Sequence, residues 1–145
     1  MSERKSKNRS STVQSFANQE QVLILSQAST EHLHTQCNLE DNQDVEWMLE
    51  QFRGNLVIDG GLKPYEENDW KQIQIGNELV LDAIGPCNRC NVIGINQANS
   101  ENVREPLQTL AKNQVQRFKF GLLAGCVNSM DGIEIQIDSP VKVTQ

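Results

Sequence analysis

The chain has 145 residues, enough for one domain with a sizeable core. Its formal net charge of −6 argues against general nucleic-acid binding, which runs on basic patches. No stretch is apolar enough to span a membrane or form the core of a signal peptide, so the expectation is no membrane and a cytoplasmic location, where thiols stay reduced.

Residues 1–15 are Ser-rich and carry Arg4, Lys5, Lys7 and Arg9. They read as a solvated, disordered tail; Glu3 and the lack of an apolar face count against a transit peptide. The continuous apolar run Gln21–Leu25 predicts a buried strand, and Ser29 and Thr30 are N-cap candidates for a short helix through His34. Val45, Met48, Leu49 and Phe52 fall at i, i+3, i+4 and i+7, which predicts a helix with Asp44 as its N-cap. Gly54 and Asn55 stop it, and Leu56–Ile58 follows as a short strand. Glu66, Glu67 and Asp69 suit a solvated loop better than a metal site, and Trp70 suits the core with its indole N–H at the rim.

Ile73 and Ile75 alternate with Gln72 and Gln74, and Gly76-Asn77 favours a tight two-residue hairpin returning along Leu79–Ile84. Val92–Ile95 reads as another strand. Pro106 opens a short helix carrying Leu107, Leu110 and Ala111. Strand-like runs at Phe118–Val127, Ile133–Ile137 and Pro140–Val143 complete a mainly β architecture with two or three short peripheral helices.

Gly85-Pro86-Cys87-Asn88-Arg89-Cys90 concentrates the chemistry. Two thiols two residues apart suit half a zinc site, a redox pair or a soft-metal ligand beside a structural thiol. Cys37, Cys126, His32 and His34 form no second pair at finger spacing, and a thioredoxin-type pair belongs at a helix start rather than between strands. Arg89 brings a positive charge that favours thiolate and a planar fork suited to anionic oxygens. Two half-buried structural cysteines remain an equal alternative on the chemistry of the motif alone.

Several segments in order are similar to a known family. They are Phe52-Arg53-Gly54-Asn55-Leu56-Val57, Tyr65–Trp70, the thiol motif, Glu105–Lys112 and Phe120-Gly121. Together with Asn18 and Ala28-Ser29 they resemble the MOSC domain, and more closely the C-terminal part of eukaryotic molybdenum cofactor sulfurases, from about Phe16 to Val143. The resemblance implies a MOSC-type β-barrel over residues 16–145. It implies binding of the molybdenum cofactor (molybdopterin) and its presentation for exchange of an oxo for a sulfido ligand. Cys90 matches a metal-ligating cysteine, Cys87 becomes the supporting thiol, and Arg53 and Asn55 match residues that hold the pterin phosphate. Arg89 reads equally as a phosphate or cofactor contact and as a surface salt bridge to a carboxylate.

Gln51 and Gly54 replace an Arg and a Pro of the family pattern, and Asn96 stands at a usual Asp. The barrel is expected to be truncated, and the pyridoxal-phosphate desulfurase domain of the sulfurases is expected to be missing from the chain. Sulfurtransferase-type activity therefore calls for a sulfur-donor or cysteine-desulfurase protein in trans, with molybdoenzymes as clients. The alternatives are a molybdenum-dependent reductase of N-hydroxylated compounds and a non-enzymatic remnant or interaction domain.

Overall fold

A computed structural model describes residues 4–5, 13–14, 22–127 and 132–145. Strands β1 (Arg4–Lys5) and β2 (Val13–Gln14) pair as a minimal antiparallel ribbon. The rest of the expected tail, and Phe16 and Asn18 beyond it, lie outside the described residues.

The first apolar run forms β3 (Val22–Ser26). Its side chains alternate between two faces, so Ile24 and Leu25, both fully buried, enter different halves of the core. Helix α1 (Gln27–Gln36) begins earlier than Ser29 or Thr30, because Ser26 supplies the cap: its Oγ accepts from the Ser29 N–H at 3.4 Å. Ser29 and Thr30 lie buried in the first turn instead. Helix α2 (Val45–Phe52) follows its apolar stripe, and Asp44 Oδ1 accepts from the Trp47 N–H at 2.8 Å. Met48 and Phe52 are fully buried. The helix ends where Arg53 turns left-handed, at φ 55°.

After β4 (Leu56–Ile58), a 3-10 turn spans Glu66–Asp69. This segment is not a wholly solvated loop: Glu67 is 2% exposed. Trp70 is core as expected, but its indole N–H is buried without a partner rather than at the rim. The hairpin β5 (Gln72–Ile75) and β6 (Leu79–Asn88) forms with Ile75 opposite Leu79, so three residues turn the chain rather than two.

Val92–Ile95 is not a strand. Asn91–Gly94 forms a 3-10 turn that buries Ile93 and leaves Val92 exposed. A β-branched run becomes a strand only beside a free edge, and here the ladder with the next strand has already ended at Asn88 opposite Lys119. Helix α3 (Leu107–Lys112) follows Pro106, then β7 (Lys119–Cys126) and β8 (Val141–Thr144). Ile133–Ile137 is also not a strand; β8 occupies the edge of β5 through Ile75 opposite Val141, and Ile137 is left 95% exposed.

The main sheet runs β4-β3-β7-β6-β5-β8. Only β3 and β4 are parallel. It curls into a half-barrel, so the expected incomplete, mainly β barrel with short helices is the observed fold. One core cluster, around Ile24, Trp70, Ile73, Leu81 and Leu122, lies on one face of the sheet. A second, around Leu25, Leu33, Met48, Phe52, Ile93 and Leu110, joins the helices to the other face. Each fully buried Leu, Ile or Phe contributes roughly 1.5–3 kcal/mol of transfer free energy. The outer strands β4 and β8 border one cleft of about 400 Å³, lined also by Ile135–Ser139. Among the described residues, no helix is long and apolar enough to cross a membrane.

Candidate functional site at the thiol turn

The longest strand, β6, carries the thiol motif out of the sheet. Pairing with β7 is irregular between Ala83 and Gly85 and again between Pro86 and Asn88. Gly85 sits at φ 149°, a conformation that side-chain-bearing residues rarely adopt. This bulged end re-aims the strand. Cys87 is half-buried, and Cys90, just beyond the strand, is exposed. All four cysteines are free thiols.

Arg89 organises the turn. Its backbone N–H donates to the Phe118 carbonyl at 2.6 Å. Its Nη2 donates to the Phe52 carbonyl at 2.6 Å, and its Nη1 donates to Cys87 Sγ at 3.4 Å. The guanidinium carbon lies 5.3 Å from the centre of the Phe52 ring, which also stacks on Phe120 with centroids 4.2 Å apart. Nε is buried with no partner. A cation on the last carbonyl of α2 complements the negative end of the helix. Arg89 thus joins the thiol turn to the end of α2, and its two terminal nitrogens are engaged within the protein.

The same contact brings the Arg53 segment to the thiol turn. Arg53 follows Phe52 directly and is exposed. Asn55 is more committed to the frame. Its Oδ1 accepts from the Leu23 N–H at 2.7 Å, and its own N–H donates to the Leu23 carbonyl at 2.8 Å. Its amide NH₂ is the part left to meet a ligand. Gly54 permits this close approach, since a Cβ there would stand 2.6 Å from Leu25 Cδ1.

Gln51 is fully buried. With its amide oriented to satisfy both neighbours, it donates to the Ile95 carbonyl at 2.7 Å and accepts from the Gln97 N–H at 3.3 Å. It latches α2 to the segment after the thiol turn, a role that its replacing an Arg of the family pattern does not reveal. Asn96 likewise shapes its own loop, its Oδ1 accepting from the Ala98 N–H at 2.9 Å. The sequence signal for Gln51 was its place beside Phe52 on an amphipathic helix, where a polar residue on the core side needs partners.

The other thiols are set apart. Cys37 packs near Thr109 and Glu105, and burial pushes its thiol up to about 12. The Cys126 thiol is buried and donates to the Val80 carbonyl at 3.8 Å. His32 meets the Tyr65 hydroxyl at 3.2 Å, while His34 meets the Gln43 carbonyl at 2.9 Å. Among the described residues, no group of three or more His, Cys, Asp or Glu is placed to hold a metal ion. That leaves no closed four-ligand zinc site around Cys87 and Cys90 among them. What the turn does offer is one exposed soft thiol with an exposed guanidinium on an adjoining segment. This donor set suits a soft metal carried by an anionic organic ligand.

The family model described as "MOSC domain" matches residues 11–142. The chain belongs to the MOSC domain family. The mosquito Culex quinquefasciatus has a relative named Molybdenum cofactor sulfurase 2, 34% identical over 142 residues, covering 93% of this chain and 18% of that protein. Molybdenum cofactor sulfurase of Drosophila mojavensis is 36% identical over 108 residues, covering 74% and 13%. That of Oryza sativa is 35% identical over 124 residues, covering 81% and 15%. The chain thus spans less than a fifth of the length of these curated relatives. As a MOSC domain homologous to those sulfurases, it is related to molybdenum-cofactor chemistry.

Proposed function

We propose that this MOSC domain holds the molybdenum cofactor at the thiol turn and presents it to a sulfur donor for sulfuration. The observation that carries the reading is the placement of Cys90. Its thiol is exposed at the end of β6, on a turn that Arg89 ties to the Arg53 segment. Cys90 would ligate the metal as thiolate. Arg53 would hold the pterin phosphate through its planar fork, with the Asn55 amide NH₂ in support. Arg89 orients the turn and engages Cys87, so its part is to position rather than to bind. The chemistry supplied with the cofactor is exchange of an oxo for a sulfido ligand. The chain itself fixes the thiol, the phosphate contact and the frame between them.

The test is metal analysis with pterin fluorescence on protein purified from a cofactor-competent host. Wild type should retain both molybdenum and pterin. Cys90→Ser should lose the metal, and Arg53→Ala should lose pterin. Wild-type protein carrying neither molybdenum nor pterin would overturn the reading.

A further inference from the structure

We propose that the thiol end of the molecule is a docking surface for a protein that presents a carboxylate-rich face. The inference comes from where the charges lie in a chain whose net charge is −6. Residues 51–58, 83–100 and 106–127 contain no Asp or Glu. They carry Arg53, Arg89, Lys112, Arg117 and Lys119, five of the thirteen Lys and Arg.

Direct bonds gather these segments at one place. Arg89 reaches the Phe52 carbonyl and the Phe118 carbonyl. Asn88 pairs with Lys119 across the β6–β7 ladder. The Phe118 N–H donates to the Leu110 carbonyl at 3.2 Å, and the Arg117 N–H to the Asn113 carbonyl at 3.0 Å, which brings in the end of α3 with Lys112. The opposite end of β6 is mixed in charge, with Glu78 in the hairpin loop, Asp82 beyond it, and Lys71 and Lys142 on the neighbouring segments. The acid-free segments thus gather at the other end of this longest strand.

Exposure decides what kind of anion fits. Arg89 is occupied internally, but Arg53, Lys112, Arg117 and Lys119 are all exposed. A single phosphate group is satisfied by one or two forked donors. Four exposed cations on two separate segments suit an extended anionic surface instead. A rim of this kind steers encounter and sets orientation, with strong salt dependence. It adjoins the turn that bears the exposed Cys90 thiol, where a sulfur donor must arrive; that last point alone rests on the function proposed above. An acidic protein would otherwise be repelled by the net charge, so the segregation is what makes approach at this end favourable.

The experiment measures binding of fluorescently labelled poly-L-glutamate to the full chain by anisotropy, at low and at physiological salt. Duplex DNA and phosphatidylglycerol vesicles are run as parallel arms. The wild type should bind poly-L-glutamate, and binding should weaken with salt. The double variant Arg117→Glu/Lys119→Glu should weaken it about tenfold. Arg117→Gln/Lys119→Gln should fall in between, and unchanged melting temperatures would show that both pairs fold. The pair Lys63→Glu/Lys71→Glu, outside the acid-free segments, should change binding little. Equal loss from that pair, or no loss from the rim pair, overturns the proposal. Tighter binding of DNA or vesicles through Arg117 and Lys119 also overturns it, by giving the surface to nucleic acid or lipid. Absence of molybdenum and pterin in the wild type would sink the cofactor reading and leave this result standing.

Discussion

The guanidinium of Arg89 donates to the carbonyl of Phe52 at 2.6 Å while lying over the same residue's ring. One side chain therefore satisfies a helix end and packs on the aromatic that ends that helix, across 37 positions of sequence. Replacing Arg89 with Gln should cost about 2 kcal/mol, the usual worth of a hydrogen bond from a charged group. Arg89→Lys should recover part of that, because an ammonium can reach one acceptor but cannot reproduce the flat fork. Urea unfolding of the two variants measures this. Equal stability of both variants and wild type would remove the clamp from the account.

Gly54 lies where a Cβ would meet Leu25 Cδ1 and Cγ at 2.6 Å. Gly54→Ala should destabilise by roughly 1–3 kcal/mol through overpacking. Leu25→Ala, which empties a fully buried position, should cost about 2–5 kcal/mol. The double variant should lose less than the sum, since the smaller residue at 25 makes room for the methyl at 54. Strict additivity in a double-mutant cycle would show that the two positions do not compete for space.

Glu67 is buried, and that desolvation raises its pKa, with the Ser29 hydroxyl bond opposing the shift. Ser29 Oγ donates to the carboxylate at 2.8 Å and accepts from the Tyr65 N–H at 2.7 Å. In the unfolded chain a Glu titrates near about 4.3. Between that value and the raised folded one, the native state binds the extra proton. This residue's contribution to stability is therefore full at acid pH and falls as pH rises through that window. Glu67→Gln should flatten that part of the pH–stability curve. Identical curves for variant and wild type, measured by urea unfolding across the window, would contradict it.

Three of the four thiols should alkylate in an order set by their surroundings. Cys90 is exposed and should react first with iodoacetamide, followed by Cys87, where Arg89 shields one side. Cys37, pushed up to about 12 by burial, should stay unmodified at neutral pH in the native state. Peptide mapping after timed alkylation reads the order directly. Early modification of Cys37 would place its thiol in solvent rather than against Thr109 and Glu105.

Elements whose pattern is local were legible in the sequence. Asp44 with Val45, Met48 and Phe52 specified α2, and Ile73 and Ile75 specified the first arm of the hairpin. Val92–Ile95 was misread because a β-branched run carries no information about whether an edge remains to receive it. Ile133–Ile137 failed for the same reason. At the candidate site, Cys87, Arg89 and Cys90 stood out by spacing. The partners of Arg89 did not, since Phe52 and Phe118 meet it only through the fold. The burial of Gln51 was hidden because polarity reads as solvent until two backbone groups are found waiting for it.

The open rim of the half-barrel sets an order of local melting. Among the described residues, strands β4 and β8 each pair on one side only, and both border the same cleft. Either can peel away while the β6–β7 ladder, running from Leu81 opposite Cys126 to Asn88 opposite Lys119, stays intact. The cysteine-bearing turn is thus rooted in the last part of the sheet to come undone. The soft margin lies at the edge strands, and β6 holds Cys90 independently of their fraying.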